Sequence, residues 1–255
     1  MLTPGLVSIT FRKLAPEEII ELVRRAGLKS IEWGGDIHAP HGDVERAKEV
    51  RRKTEASGLQ VAAYGSYYRL GKSAKEGLEF GDVLNSAVAL GAPQIRVWAG
   101  AKPSAEADPE YRREIADEAN RIAEQAAAAG VGIAYEYHAN TLTDTNESAQ
   151  ELLSRTDHPN ITTLWQPPNG QSPEYCLEGL KAVLPRLSNV HVFHWWPTNK
   201  DRNLIEAGTE RWKPYVDTIR STGRDHHLLI EFVKNNEPEN FLADAATLLR
   251  WIGKE

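Results

Sequence analysis

Short apolar, β-branched runs alternate with amphipathic stretches along the whole chain. The runs are GLVSITF (5–11), SIEW (30–33), LQVAAY (59–64), QIRVWAG (94–100), VGIAYEY (131–137), ITTLWQ (161–166), NVHVFHWW (189–196) and HLLIEFV (227–233). Their near-continuous apolar character suits strands covered on both faces, as in a parallel sheet beneath helices. Between them lie helical patterns such as APEEIIELVRRAG (15–27), with Pro16 in the first turn, Glu17 and Glu18 early, Arg24 and Arg25 late, and Gly27 as terminator. Each of these suits a helix end or its dipole. The same logic predicts helices over 43–58, 108–130 and 238–253. Run starts lie about 30 residues apart, the length of one βα unit. Eight such units predict an α/β fold of one kind, a closed (β/α)8 TIM barrel forming a single domain over 1–255, with a doubly wound open sheet as the alternative. No linker or low-complexity tract interrupts the pattern.

Composition narrows the function. The 255 residues are 41% hydrophobic and 26% charged, an ordinary globular balance, with a formal net charge of -6. That charge supplies no global positive field, so a nucleic-acid partner is not expected. One cysteine, Cys176, permits neither an intramolecular disulfide nor a cysteine-based zinc site, and a reducing cytoplasm is the expected location. No signal-peptide pattern opens the chain and no run reaches the roughly 18 apolar residues of a membrane span, so a soluble protein without a membrane partner is expected. P-loop, GxGxxG, GxSxG and HExxH patterns do not occur, which weakens nucleotide-hydrolase, dinucleotide-dehydrogenase, serine-hydrolase and zincin readings.

In such barrels chemistry sits at the C-terminal ends of the strands, where the eight βα loops converge. The segments there read EWGGDIHAPHGD, YGSYYRLG, RVWAG, YEYHANTLTD, LWQPPNG, FHWWPTNKDR and LIEFVKNN, rich in acids, imidazoles, amides and tryptophans. Glu136 and Glu231 each follow an apolar strand run, where an ionised carboxylate needs a cation or a proton-sharing partner. With His194 and His138, they suit a divalent ion of the Mn, Mg, Co or Zn group. The plainer reading pairs each acid with an arginine such as Arg96 or Arg69. His191 competes with His194, because the HVFH spacing puts the two on opposite strand faces. Five of the seven tryptophans, Trp33, Trp98, Trp165, Trp195 and Trp196, fall at strand ends, where they stack on a sugar or plug the barrel mouth. Substrate contacts are further expected from Tyr67, Arg69, His38, Asn169 and Arg202, the last of which is otherwise a solvated loop arginine.

At these residues the chain resembles the xylose isomerase-like TIM barrels, a superfamily of sugar isomerases and epimerases that includes tagatose 3-epimerase and hydroxypyruvate isomerase. The likeness runs from SITFRKLAPEEIIELVRRAGLKSIEW to the IEFV of the eighth run. It implies a metal site of Glu136 in YEYH, Gln166 in LWQPPN, His194 in VFHWW and Glu231 in LIEFV. Two positions depart: Gln166 stands where the family has aspartate, and Asn169 where it often has histidine. Glutamine ligates through its carbonyl oxygen but brings no charge, so weaker metal affinity is expected. The implied activity is a metal-dependent sugar isomerase or epimerase, moving a proton next to a carbonyl through an enediolate, with Glu136 and Glu231 as the acid/base pair. The alternatives are a keto-sugar or inosose-type dehydratase, an endonuclease IV-like phosphodiesterase that the acidic charge disfavours, and a non-catalytic sugar-binding barrel. A homo-oligomer is compatible with the chain, although no patch identifies an interface.

Overall fold

The computed structural model describes residues 1–254. Its strands are β1 (Leu2–Val7), β2 (Ser30–Gly34), β3 (Gln60–Arg69), β4 (Gln94–Trp98), β5 (Gly132–Glu136), β6 (Ile161–Trp165), β7 (Leu187–Val192), β8 (His194–Trp195), β9 (Arg202–Asn203) and β10 (His226–Ile230). Eight of them close a parallel barrel in the order β1-β10-β7-β6-β5-β4-β3-β2, and β8 and β9 form a separate antiparallel ribbon. Because β1 pairs with both β2 and β10, the sheet has no edge, and the open doubly wound alternative is overturned. The helices are α1 (Pro16–Arg25), α2 (Val44–Ala56), α3 (Phe80–Leu90), α4 (Pro109–Ala128), α5 (Asn146–Arg155), α6 (Pro173–Val183), α7 (Thr209–Arg220) and α8 (Pro238–Ile252). No described helix is long and apolar enough to cross a membrane.

Local chemistry sets these boundaries. Asp43, Asp108, Thr145 and Ser172 cap α2, α4, α5 and α6 by accepting from the backbone N–H three residues on. Proline opens α1, α4, α6 and α8, where its missing N–H costs nothing. Two strand runs end differently from their apolar pattern. The first strand stops at Val7, and Ser8–Phe11 winds into a 3-10 turn that sets Phe11 edge-on to Phe241 at 5.7 Å. The seventh stops at Val192, and the next residues leave the barrel as the β8–β9 ribbon.

Alternation along each strand divides outward from inward residues. Outward ones pack beneath helices: Trp33 donates to Thr54 of α2 at 3.2 Å, and Trp165 lies edge-on to Tyr215 of α7 at 5.3 Å. Inward, Val7, Ile9, Ala62 and Leu229 form an apolar plug, against which Tyr67 and Phe232 pack.

Outside the barrel, Asp244 of α8 is buried, with Oδ1 accepting from the Ile205 N–H at 2.9 Å and Oδ2 unpartnered. Burial pushes its carboxyl up to about 7, against the opposing pull of that N–H. An acid whose folded pKa is raised costs nothing below its unfolded value and its full penalty above its folded one. Asp244→Asn is therefore expected to gain stability over the parent as pH rises from 4 to 8, reaching roughly 1–3 kcal/mol, read by urea denaturation.

Candidate active site

Strand alternation aims one row of polar residues at the barrel axis, just above the apolar plug: Glu32 from β2, Arg96 from β4, Glu136 from β5 and His191 from β7. Gln166 and Glu231 follow immediately after β6 and β10. All six are buried. Hydrogen bonds join five of them, all but Glu231, in a closed ring. Arg96 donates through Nε to Glu32 Oε1 at 2.7 Å and through Nη1 to Glu136 Oε2. Gln166 Nε2 lies 3.5 Å from Glu136 Oε1 and donates to the Tyr137 carbonyl at 2.6 Å, which turns the amide oxygen to His191 Nδ1 at 3.2 Å. His191 Nε2 closes the circuit on Glu32 Oε2 at 3.1 Å. A Cβ on Gly65 would lie 2.8 Å from both Arg96 Nη2 and Glu32 Oε1, so only glycine leaves room for this contact.

Three acceptor oxygens converge on His191 Nδ1: Gln166 Oε1 at 3.2 Å, Glu231 Oε2 at 3.5 Å and Glu136 Oε1 at 3.7 Å. Acceptors grouped in this way need a positive centre, either a proton on Nδ1 or a metal ion in its place. Ligand atoms of Glu136, His191 and Glu231 lie within 4.8 Å of one another, and Gln166 adds a neutral oxygen. Three carboxylates against one guanidinium leave two negative charges when the imidazole is neutral, the charge a divalent ion cancels. The donor set therefore fits such an ion, and mixed carboxylate, imidazole and carbonyl ligands suit Mn, Mg, Co or Zn.

Burial opposes the charges of Glu32, Glu136 and His191, and neighbouring charges outweigh it. Burial alone would raise the Glu32 carboxyl, but His191 and Arg96 hold it down at about 2. Glu136 is likewise kept below the usual carboxylate range, with Arg96 overcoming its desolvation. Desolvation would lower His191, yet Glu231 and Glu32 push it up to about 10.

Above the ring opens a cavity of about 610 Å³ whose wall includes Glu136, Gln166, Glu231, Trp98, His138, Tyr67 and Asn169, seven residues expected at the site from sequence. Trp98 Nε1 donates to Glu136 Oε2 at 2.5 Å, and its ring stacks on His138 at 4.2 Å. His138 Nδ1 lies 2.7 Å from the Ala139 carbonyl, an acceptor, so Nδ1 carries the proton and Nε2 is left to exchange one. Tyr67 has a left-handed backbone, φ 56°, an unfavourable conformation for an aromatic residue. It sets the ring 4.8 Å beneath the Arg96 guanidinium and its hydroxyl 3.2 Å from Arg12.

Four expected residues lie elsewhere. His194 is the main correction: β7 ends at Val192, alternation turns His191 to the axis, and the imidazole of His194 packs against Gly208 in a separate cavity with Pro173 and Arg211. His38 is a core residue bonded to Ser8 Oγ at 2.8 Å, and burial lowers its pKa to about 4. Arg69 stacks on Trp98 at 4.4 Å without reaching the cavity. Arg202 bonds Asn236 Oδ1 at 2.8 Å in a rim depression with Lys200. Of the five strand-end tryptophans, Trp98 and Trp195 line the mouth, whereas Trp33 and Trp165 are core. Sequence reading missed Glu32 and Arg12, and weighed Arg96 only as an ion-pair partner. The signal for Arg96 was present, since it is a charge inside the apolar run QIRVWAG. His194→Ala is expected to leave Mn2+ affinity unchanged, whereas His191→Ala weakens it by about tenfold or more, measured by calorimetric titration.

Comparison with known proteins agrees with this frame. The 3-dehydroshikimate dehydratase of Bacillus anthracis is 28% identical over 170 residues, 62% of this chain and 59% of that protein, so the match spans less than two thirds of the relative's length. The crystal structure of the probable 3-DHS dehydratase involved in petrobactin synthesis from Bacillus anthracis superposes with TM-score 0.80 at 20% identity, covering 97% of this chain and 98% of that one. D-psicose 3-epimerase, solved in the presence of D-fructose, has TM-score 0.77 at 14% identity, covering 99% and 100%. Both structures share the fold. The model of the xylose isomerase-like TIM barrel family matches residues 20–252, and the chain belongs to that family.

Proposed function

We propose that this chain catalyses divalent-metal-dependent proton transfer next to the carbonyl of a small polyhydroxylated keto compound, and that the reaction proceeds to loss of water. The observation that carries this reading is the inequality of the two carboxylates. Glu136 has Oε2 engaged by Arg96 and Trp98, and Oε1 faces Gln166 and His191. Glu231 faces His191 through Oε2 alone. Glu136 is thus a fixed anion, and Glu231 is the carboxylate available to take a proton. The two groups that exchange protons are then a carboxylate and an imidazole, rather than the two matched carboxylates expected from sequence.

When bound, the metal supplies an electrophile for the substrate's carbonyl oxygen and neighbouring hydroxyl. Glu231 removes the α-proton, and His138, entering the step with a proton on each nitrogen, gives the one on Nε2 to the departing β-hydroxyl, which leaves as water. Arg12, Arg96 and Asn169 bind the remaining oxygens of the substrate, and Trp98 and Trp195 cover its C–H faces. Likeness to a protein named 3-dehydroshikimate dehydratase supports the dehydration outcome. Isomerisation or epimerisation is the second reading, favoured because one cavity holds two proton-exchanging groups able to serve different faces of a substrate.

The test is to incubate the Mn2+-loaded protein in D2O with 3-dehydroshikimate and, separately, with D-psicose, followed by proton NMR. Release of a dehydrated product supports the first outcome. Deuterium entering the α-carbon without water loss supports the second. No change in either compound, or in a wider panel of keto-polyols, overturns the proposal.

A further inference from the structure

We infer that Glu32, which touches neither the cavity nor the atoms converging on His191 Nδ1, is the positioning residue that presents both His191 and Arg96 to the site. This deepens the metal-dependent reading above and adds a group that it does not use.

The carboxylate of Glu32 is fully buried on β2, and both of its oxygens are committed to different strands. Oε1 accepts from Arg96 Nε of β4 at 2.7 Å and Oε2 meets His191 Nε2 of β7 at 3.1 Å. Each bond decides an orientation. With Nε2 held as a donor to Glu32, Nδ1 is the nitrogen that faces Gln166, Glu136 and Glu231; a flipped ring would set its carbon edge toward those oxygens. With Nε held on Glu32, the guanidinium fork extends Nη1 to Glu136. One carboxylate thereby fixes a cation and an imidazole across the barrel interior. Its replacement by an amide cannot serve both, because Arg96 Nε–H and His191 Nε2–H are both donors and glutamine offers a single oxygen.

Glu32→Gln is therefore expected to fold, to bind Mn2+ about 10- to 100-fold more weakly by calorimetric or EPR titration, and to lose the downfield proton resonance of His191 Nε2–H that the metal-free parent shows. A folded variant that keeps the parent's Mn2+ affinity and this resonance overturns the inference. If Glu32→Gln does not fold, Glu32→Asp carries the test, since it keeps the charge but withdraws the oxygens by one methylene; the same two readings decide. The resonance is read without metal. A parent that binds no Mn2+ but shows the resonance, lost on substitution, overturns the metal-dependent reading while supporting the role of Glu32.

Discussion

Glu231→Gln is expected to slow solvent deuterium exchange at the substrate's α-carbon by about a thousandfold, and saturating Mn2+ is not expected to restore it. The amide keeps an oxygen facing His191 but cannot accept the proton. Glu136→Gln is expected to behave differently. It removes the negative charge between Arg96 and His191 and leaves one oxygen where two served them, so metal affinity falls first and a large part of the exchange rate returns at high Mn2+. Rate measurements across a Mn2+ titration, with circular dichroism to confirm folding, separate the two. Equal and unrecoverable losses in both variants would restore the matched-carboxylate pair and with it the epimerase reading.

Arg96→Met is expected to destabilise the metal-free protein by about 3–5 kcal/mol at pH 8, because Glu32 and Glu136 are then buried without their shared cation. The pH dependence should reverse as well. In the parent, Glu32 has a depressed carboxyl, so its stabilising contribution is present above pH 4.5 and is lost as pH falls toward 2. Without Arg96 the same carboxyls favour protonation, and the variant should recover stability as pH drops from 8 to 5. Urea midpoints at the two pH values check the sign. A variant as stable as the parent at pH 8 would mean that the guanidinium contributes no net stability to the ring.

The barrel was legible because eight βα repeats write the same signal eight times, and helix ends carried caps, early acids and terminal glycines that agree with it. Glu136 and Glu231 were legible because each stands where an apolar run stops, and Gln166 only through the family resemblance. His191 against His194 was decided by something finer. Both follow β-branched or aromatic residues, and only the strand's end at Val192 settles which imidazole turns inward. Glu32 was hidden for a related reason: inside SIEW it looks like one polar residue in a short strand, and its meaning comes from partners 64 and 159 residues away. His38, Arg69 and Arg202 mislead in the opposite direction, since rim segments contain polar residues that fold back on the core, on an aromatic ring or on a neighbouring amide.

The ring and the wall above it are inherited from different parts of the chain. Ring members belong to strand positions locked by barrel register or, for Gln166, to the residue just past a strand, whereas Trp195 and Asn199 belong to the β8–β9 excursion, and His138 and Asn169 to short loops. Exchanging the 194–203 segment for one of another length should therefore make a chimera with altered substrate preference and an intact proton-transfer centre. The point at which β7 leaves the barrel, one residue past His191, is a natural splice site for redesigning this protein.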